Sequence, residues 1–236
     1  AEAPDVIALT EAAYCGAAGR IIRHDFATMF ALPHVATAGF EGEWTNVLVS
    51  RFPILHAERH ELGRSPSGIQ PSALRTILDV GGRSVHVDIV HPSPHVPEAE
   101  RVAAVAPLLE THQTPYIMLG DFNALSDEDP YTREGLRAQM LDHVVEPDAI
   151  VTQMLERQLI RSIRARGLVD SLAVEARGHT IPTQLERGIA TQGAQIRIDY
   201  IFVSSEFRVV DSQIVRRAPA DEVSDHYPVV ATLALD

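Results

Sequence analysis

Two short polar clusters in the sequence carry side chains that together could hydrolyse a phosphate ester. One is Gly120–Asn123, with the sequence GDFN, and the other is Ser224–His226, with the sequence SDH. Such hydrolysis needs a divalent cation held by carboxylates, a base that activates water, and hydrogen-bond donors for the developing charge. The residues of the two clusters that could supply these functions are Asp121, Asn123, Asp225 and His226.

The residue types indicate which step each side chain could perform. Asp121 could take a proton from an attacking water, while Asn123 could donate its amide to a phosphate oxygen. His226 is either a donor to the phosphate or a general acid, and it needs a carboxylate to fix its tautomer. Asp199 could be that carboxylate, because it is an acid inside the segment Ile196–Val203, which is rich in Ile, Tyr, Phe and Val.

Two acids are candidates for holding the cation. Magnesium takes oxygen ligands in proteins and usually only one or two carboxylates. Glu11 follows the apolar run Asp5–Leu9, and Asp225 lies in the second cluster. Both are predicted to bind Mg²⁺, with Mn²⁺ as the alternative. His91, which ends the run Val85–Val90, is a further candidate donor to the phosphate.

Apolar runs bounded by turn residues predict the strands that must position these side chains. Both polar clusters adjoin such runs, so their side chains are expected at strand ends, on loops held by a rigid sheet, where catalytic groups are usually placed. The Gly81-Gly82 pair between two runs predicts a tight hairpin. The predicted strands are Asp5–Leu9, Asn46–Ser50, Ala73–Val80, Ser84–Val90, Pro115–Leu119, Ile196–Val203, Phe207–Val215 and Tyr227–Leu235.

Two helices are predicted beside the strands. Pro97 suits the first turn of a helix over Pro97–Glu110, although Pro107 should end or kink it. A stripe of apolar residues at helical spacing predicts a second helix over Ala149–Arg166. Many strands with mixed connections and few helices predict an α/β (α+β) fold, in which two mixed β-sheets pack face to face with helices outside.

Length and composition indicate a soluble protein, either cytoplasmic or secreted. The 236 residues fit one large domain, and 45% of them are hydrophobic. No apolar stretch approaches the roughly 18–20 residues of a membrane span. The first residues show no basic region followed by an apolar stretch, so no signal peptide is expected in them. The single cysteine, Cys15, excludes an intramolecular disulfide framework, and no obligate protein partner is evident.

The charge of the chain bears on its substrate. All twenty basic residues are arginine, which indicates a GC-rich, bacterial coding sequence, and the net charge is −12. Proteins bind long nucleic-acid duplexes mainly by neutralising phosphates with Lys and Arg. The acidic balance therefore favours a small phosphodiester or a phospholipid head group over duplex DNA. A DNA or RNA nuclease is the alternative, and it would be indicated by arginines flanking the cleft. The candidates for such a cluster are Arg51, Arg64, Arg75 and Arg83.

Six motifs, in this order along the chain, resemble the endonuclease/exonuclease/phosphatase superfamily. They are Leu9–Glu11, Asn46–Ile54, Val90–His91, Gly120–Asn123, Ile198–Val203 and Ser224–His226. The resemblance runs from about Pro4 to Leu235, which is nearly the whole chain. It implies a single domain over residues 1–236, built as a four-layer α/β sandwich with the site at one end of its two sheets. It also implies metal-dependent hydrolysis of phosphate esters by in-line attack of water.

The resemblance assigns roles by position. The residues that match the family's metal, water, phosphate and histidine-supporting positions are Glu11, Asp225, Asp121, Asn123, His226, Asp199 and His91. Asn46 is expected to approach the substrate, and Arg51 is expected to be structural. Thr180 lies where the family often has a threonine near the substrate, although an ordinary loop residue is equally consistent with the sequence.

The sequence departs from the family pattern at its start. The family usually opens with a strand that ends in a metal-binding asparagine, well before the glutamate, but only ten residues precede Glu11 and none is asparagine. We expect that the gene encodes residues that this chain lacks. If the strand is genuinely missing, a protein of another class becomes the alternative: a non-catalytic domain that binds a phosphorylated ligand or a protein. The residues that argue against that alternative are the intact Glu11, Asp121, Asn123, Asp199, Asp225 and His226.

Overall fold

The strands and helices of the chain fall into two units. The computed structural model describes residues 3–12, 14–15, 21–22, 25–38, 45–64, 71–185 and 193–236. The first unit comprises Ala1–Val96 with Glu100–Phe122, and the second comprises Pro97–Ala99 with Asn123–Asp236. Within the described ranges, every helix is too short or too polar to span a lipid bilayer. The single domain over residues 1–236 stays a prediction.

The first unit is built mainly from strands. One helix, α2, connects strands β8 and β9, and its first two residues belong to the second unit. In chain order the elements are β1 (Val6–Leu9), β2 (Tyr14–Cys15), β3 (Ile21–Ile22), α1 (Phe26–Phe30), β4 (His34–Thr37), β5 (Val47–Ser50), β6 (Ile54–Glu61), β7 (Ser72–Val80), β8 (Arg83–Val90), α2 (Glu98–Thr111) and β9 (Tyr116–Asp121).

Two larger sheets form the core of this unit. The smaller of them is antiparallel, in the order β1-β5-β4, and every residue of β5 is buried. The other contains β9, β8, β7 and β6 as successive neighbours, with β8 and β9 parallel and the remaining pairs antiparallel. The two sheets contact one another, because β1 lies near β9 and β4 lies near β7. The predicted packing of two sheets is therefore confirmed, although only the larger sheet is mixed and the smaller one is antiparallel.

The parallel pair β8–β9 has a consequence for the predicted site. Its register places Val90 beside Gly120, and the two strands run in the same direction. The residues that follow them, His91 and Asp121, therefore come out at the same edge of the sheet. The predicted Gly81-Gly82 hairpin is also confirmed. Both glycines have positive φ angles, of 64° and 88°, as a tight two-residue hairpin turn requires.

Of the two outcomes expected of Pro107, an end or a kink of its helix, the first does not occur. Helix α2 continues to Thr111, and the carbonyl of Pro107 accepts a hydrogen bond from Thr111 Oγ1 at 2.8 Å. A proline inside a helix removes one backbone hydrogen bond. Val105, two residues before it, and Leu108, directly after it, are fully buried, and the burial of this apolar face offsets the loss.

The second unit combines short helices with two pairs of antiparallel strands. Strand β10 pairs with β11, and β12 pairs with β13 across a bulge at Val209/Asp211. In chain order its elements are α3 (Arg133–Met140), α4 (Asp148–Met154), α5 (Gln158–Arg164), β10 (Val169–Asp170), a turn of 3₁₀ helix (Val174–Ala176), β11 (Asp199–Val203), β12 (Phe207–Ile214), α6 (Ala220–Val223) and β13 (Val229–Leu235).

Two predicted elements of this unit are corrected. The helix predicted over Ala149–Arg166 is interrupted at Arg157, whose φ of 58° is left-handed, so α4 and α5 are separate. The Arg157 guanidinium donates to the carbonyl of Tyr131 at 2.6 Å, which holds the break in place. The strand predicted over Ile196–Val203 begins only at Asp199, because Ile196 pairs instead with Ile181 in an isolated bridge.

Candidate active site

Three predicted site residues of the first unit converge. The Nε2 atom of His91 lies 3.6 Å from Oε1 of Glu11 and 3.6 Å from Oδ2 of Asp121. Both separations are longer than a hydrogen bond and within the range of an ion pair if the imidazole is protonated. The Glu11 side chain is 41% exposed, whereas that of Asp121 is only 7% exposed. The cluster therefore opens to solvent on the Glu11 side and is covered on the Asp121 side.

Gly120 sets the distance between the two strands that carry His91 and Asp121. Its φ is 135°, a conformation that side chains rarely adopt, and a Cβ atom there would lie 2.2 Å from the carbonyl oxygen of Val90. Only glycine allows this close approach of the two backbones. The first letter of the GDFN motif is thus explained by packing next to the site.

Glu11 and Asn123 both have left-handed backbones. Their φ angles are 52° and 49°, and they are two of the four non-glycine residues with positive φ in the described part of the chain. Asparagine tolerates this conformation, but for glutamate it costs on the order of 1–3 kcal/mol and persists only where the surroundings impose it. The next residue, Ala12, donates its N–H to the carbonyl of Thr45 at 2.9 Å, which fixes the chain just after Glu11.

The side chains of Glu11 and Asp121 suit a hard divalent cation. Glu11 and Asp121 supply carboxylate oxygens, the ligands that magnesium prefers, and both approach one imidazole nitrogen. Among the described residues, no group of three or more His, Cys, Asp or Glu side chains is arranged to hold a metal ion by itself. A cation at Glu11 would therefore complete its coordination with water or substrate oxygens, as magnesium usually does. Asp225 lies exposed in the second unit, and its role as a ligand stays a prediction.

His226 and Asp199 are in contact in the second unit. His226 Nδ1 lies 2.8 Å from Asp199 Oδ2, and the His226 backbone N–H donates to Ser224 Oγ at 3.1 Å. Because an ionised carboxylate only accepts, the proton of this bond belongs to Nδ1. This contact fixes the orientation and the tautomer of the ring.

Thr180 connects both members of this pair. It is fully buried, and its Oγ1 accepts hydrogen bonds from the backbone N–H groups of Ile198 at 3.1 Å and Asp199 at 3.3 Å. Its carbonyl oxygen accepts from the N–H of Tyr227 at 2.7 Å, directly after His226. The structure thus places Thr180 beneath the pair, with its hydroxyl directed at the backbone of β11.

Asn46 is buried between the two sheets of the first unit. Its side-chain amide donates to the carbonyl oxygens of Ser72, at 2.7 Å, and Ile89, at 3.3 Å. It therefore ties the residue before β5 to strands β7 and β8. Its predicted contact with substrate remains a prediction.

A buried ion cluster, which the sequence analysis did not identify, supports the second unit. Arg197 is completely buried and donates to both carboxylate oxygens of Asp129, at 3.0 and 2.9 Å, and to Asp170 at 2.7 Å. Its guanidinium lies 4.2 Å from the ring centre of Tyr200, whose hydroxyl lies 3.1 Å from the carbonyl oxygen of Ala124. The cluster therefore joins the strand that carries Asp199 to the loop after Asn123. The available sequence signal was Arg197 itself, a charged residue inside an apolar run two positions before Asp199.

Two of the four arginines proposed to flank a nuclease cleft are paired with carboxylates. Arg51 lies 3.0 Å from Asp5, in keeping with its expected structural role. Arg75 lies 3.2 Å from the buried Asp88 and donates to Thr111 at 2.8 Å. Their charges are thus already balanced within the first unit, which weakens the case for an arginine-lined duplex site.

One family model matches most of the chain. The model of the endonuclease/exonuclease/phosphatase family matches residues 1–226. An AP endonuclease from Archaeoglobus fulgidus is 18% identical, with a TM-score of 0.65, over 98% of this chain and 90% of that one. A 3′ phosphatase from Neisseria, bound to a product DNA hairpin, is 21% identical, with a TM-score of 0.64, over 98% and 89%.

A third solved structure is longer than this chain. It is an endonuclease/exonuclease/phosphatase from Beutenbergia cavernae, 22% identical, with a TM-score of 0.64. The match covers 99% of this chain but 63% of that one. The comparison with curated protein sequences found no match. At these identities the structural likeness shows the fold, and the predicted α/β class is confirmed.

Proposed function

The chain belongs to the endonuclease/exonuclease/phosphatase family, and from this premise we propose that it is a metal-dependent phosphoesterase. The reaction is hydrolysis of a phosphodiester or phosphomonoester by in-line attack of water. The observation that carries the proposal is the convergence of Glu11 and Asp121 on His91, each at 3.6 Å from Nε2. Two carboxylates that meet at one imidazole suit both cation binding and proton transfer.

The cation of this proposal is Mg²⁺, or Mn²⁺ in its place, with Glu11 and Asp225 as its protein ligands. When bound, such a cation supplies positive charge that stabilises negative charge on the phosphate and on the leaving oxygen. The solvent-exposed carboxylates of both residues are compatible with a hydrated ion.

Asp121 acts as the base in the proposed reaction. Its carboxylate is almost covered, and the strand that carries it is fixed by the close approach of Gly120 to Val90. It would accept the proton of the attacking water, while Asn123 donates its amide to a phosphate oxygen. Asp121 is the last residue of β9 and Asn123 lies two residues later, so a rigid sheet sets their positions.

His226 acts as a cationic donor to the phosphate. With Nδ1 bound to Asp199, only Nε2 can face the substrate, and it can donate only while the ring is protonated. Asp199 favours that protonated form, because an opposite charge at hydrogen-bond distance stabilises the imidazolium. His91 is the second proposed histidine donor to the phosphate. Asn46 and Thr180 are proposed to contribute to substrate binding from buried positions, through the backbone segments that they hold.

The proposal also covers which class of phosphate ester the protein hydrolyses. The net charge of −12 and the paired Arg51 and Arg75 favour a small phosphate ester over duplex DNA. A nuclease is the second candidate, because the AP endonuclease and the 3′ phosphatase bound to a DNA hairpin share the fold.

One assay tests both candidates. Bis(p-nitrophenyl) phosphate, p-nitrophenyl phosphate and supercoiled plasmid are each incubated with the protein in Mg²⁺, Mn²⁺ or chelator, with Asp121→Ala as the control. We expect turnover that requires metal and is lost in the variant. Preference for a small ester would support the first candidate, and preference for the plasmid would support a nuclease. Full turnover by Asp121→Ala would remove Asp121 as the base. A protein that binds phosphate esters without hydrolysing any of them would instead be the non-catalytic alternative.

A further inference from the structure

Thr183 anchors the backbone on both sides of Asp225. Its N–H donates to the carbonyl oxygen of Asp225 at 3.1 Å, and its Oγ1 donates to the carbonyl oxygen of Ser224 at 2.6 Å. Thr183 is only 3% exposed, whereas Asp225 is an exposed residue. A buried residue of the second unit therefore holds the loop that carries this acid.

The hydroxyl of Thr183 supplies a donor that the preceding backbone lacks. Ile181 directs its N–H and its carbonyl to Ile196, at 3.1 and 2.9 Å. Pro182 has no N–H to donate. Neither residue can therefore donate a backbone hydrogen bond to the loop that contains Asp225. Thr183 supplies two donors to that loop, one from its backbone and one from its side chain.

These two bonds restrain the direction in which the Asp225 side chain leaves the backbone. The Ser224 carbonyl belongs to the peptide group before the Asp225 Cα atom, and the Asp225 carbonyl belongs to the group after it. Each peptide group is planar, so only φ and ψ of Asp225 relate one plane to the other. Because Thr183 holds the carbonyls of both planes, it restrains both angles and with them the Cα–Cβ bond.

Ser224 adds a contact at the carboxylate itself. The Ser224 hydroxyl lies 3.5 Å from Oδ1 of Asp225, and it accepts the backbone N–H of His226 at 3.1 Å. The bond from Thr183 to the Ser224 carbonyl thus holds a residue that contacts both Asp225 and His226. A ligand that is ordered before an ion binds loses less side-chain entropy on binding.

We propose that Thr183 is a positioning residue for the cation and that it acts through Asp225. The inference rests on the proposed function, in which Asp225 is a ligand of Mg²⁺ or Mn²⁺. It adds a residue outside the ligand set that controls how tightly the ion is bound. Removal of the Thr183 hydroxyl leaves the N–H bond to Asp225 in place, and it should weaken metal binding by roughly tenfold.

The first test measures metal binding in the absence of substrate. Electron paramagnetic resonance of free Mn²⁺ gives the Kd of the parent protein and of Thr183→Val, in which a methyl group replaces the hydroxyl. We expect Kd to rise roughly tenfold in Thr183→Val and to stay near the parent's in Thr183→Ser, which keeps the hydroxyl. Asp225→Asn removes the ligand charge and should bind Mn²⁺ at least as weakly as Thr183→Val.

A second substitution keeps the test decisive if Thr183→Val does not fold. Thr183→Cys retains a side chain of similar size, but its S–H group is only a weak donor. We expect this variant also to bind Mn²⁺ more weakly than Thr183→Ser.

Thr76→Val is the matched control for the loss of one hydroxyl. Thr76 is 2% exposed, and its hydroxyl also donates to a backbone carbonyl, that of Val87, at 3.0 Å. It lies in the middle of β7, in the first unit. Thr76→Val should lose stability as Thr183→Val does but should keep the parent's Kd for Mn²⁺. The control thereby separates a general loss of stability from a loss of ligand positioning.

Any of four results would overturn the inference. The first three are a parental Kd in Thr183→Val, a Kd in Thr183→Ser as high as that of Thr183→Val, and an equal rise in Thr76→Val. The fourth is a parental Kd in Asp225→Asn, because Asp225 would then not be a ligand through which Thr183 could act.

The second test measures hydrolysis and separates this inference from the proposed reaction. With the ester that the parent protein prefers, we expect the Mn²⁺ concentration for half-maximal rate to rise roughly tenfold in Thr183→Val, with kcat at saturating Mn²⁺ close to the parent's. If hydrolysis requires metal but Kd is equal in Thr183→Val and the parent, the inference fails while the proposed function stands. If no ester is hydrolysed but Kd depends on Thr183 and Asp225, the proposed reaction fails while the positioning role stands.

Discussion

The Nδ1 atom of His226 lies 2.8 Å from Oδ2 of Asp199, although 27 positions separate the two residues in the chain. One residue belongs to strand β11 and the other to the loop before β13. The side chain of His226 is 24% exposed and that of Asp199 is 18% exposed, so the pair is partly shielded from water. An imidazolium held in this way is suited to donate a proton or a hydrogen bond to an anion.

Replacing Asp199 tests the contribution of this contact. Asp199→Asn keeps the shape of the side chain but removes the charge that stabilises protonated His226. We expect kcat on the preferred phosphate ester to fall by roughly 10²-fold, with a far smaller change in KM. Asp211→Asn, an exposed acid on β12, is the control for the loss of one negative charge. Equal kcat values for the Asp199→Asn variant and the parent protein would show that Asp199 does not support His226.

A substitution at Gly120 tests the strand spacing beneath Asp121. In Gly120→Ala the Cβ atom would lie 2.2 Å from the Val90 carbonyl oxygen, and φ would be held at 135°. We expect a loss of about 3 kcal/mol or more in the free energy of unfolding, measured in urea, because backbone atoms cannot move aside as a side chain can. Activity should be lost as well, since Asp121 follows directly.

Gly81→Ala is the matched control for that experiment. Its φ of 64° is also positive, but nothing lies within 4 Å of the added Cβ. It should therefore cost only about 1 kcal/mol and leave activity intact. Similar losses in the two variants would mean that the contact with Val90 is not what requires glycine at residue 120.

The periodicity of the sequence was sufficient to identify most strands of the two larger sheets. The run Asn46–Ser50 is buried throughout, and in Ala73–Val80 buried residues alternate with partly buried ones; both kinds of burial leave a clear pattern in the sequence. Strand β6 was missed, since its eight residues include charged and histidine side chains and most of them are exposed. Strand β4 is short and half exposed, and it gave no signal for the same reason.

The site was predictable to the extent that its residues lie at strand ends. Asp121 and His226 stand beside apolar runs, and the structure does bring His91 to Glu11 and Asp121 and bring Asp199 to His226. Contacts that depend on tertiary folding left no local pattern. The break at Arg157 depends on a hydrogen bond to Tyr131, 26 positions earlier, which no helical periodicity could indicate.

The buried carboxyl of Asp88 predicts a specific dependence of stability on pH. Burial raises its pKa above the ordinary value of 3.8, against the hydrogen bonds from Tyr116, at 2.6 Å, and Arg75, at 3.2 Å. Above pH 3.8 the unfolded chain has lost this proton while the folded protein still holds it. The contribution of Asp88 to stability therefore falls as the pH rises from 3.8 through the raised folded-state pKa.

Asp88→Asn removes this titration and is the corresponding measurement. The free energies of unfolding of the variant and the parent protein are compared from pH 4 upward in steps of about one unit. We expect their difference to shift in favour of the variant as the pH rises, and then to become constant. A difference that does not change with pH, or that changes in the opposite direction, would contradict the raised pKa.

Thr180 provides the last prediction, because its hydroxyl satisfies two backbone donors under the His226–Asp199 pair. Thr180→Val has almost the same shape but leaves the buried N–H groups of Ile198 and Asp199 without their acceptor. Each such loss costs about 1–3 kcal/mol, so the free energy of unfolding should fall measurably. Strand β11 should also shift at Asp199, and we expect kcat to fall by roughly tenfold.

Thr180→Ser is the rescue variant, because it keeps Oγ and loses only a methyl group. We expect it to retain most of the parent's kcat while losing some stability from the small cavity. The two variants separate the two functions of the residue. Positioning of Asp199 depends on the hydroxyl, which only Thr180→Val removes, whereas packing depends on the methyl group, which only Thr180→Ser removes. If kcat falls in Thr180→Ser but not in Thr180→Val, which keeps the methyl group, the hydroxyl does not position Asp199, and the buried methyl group is what the site requires.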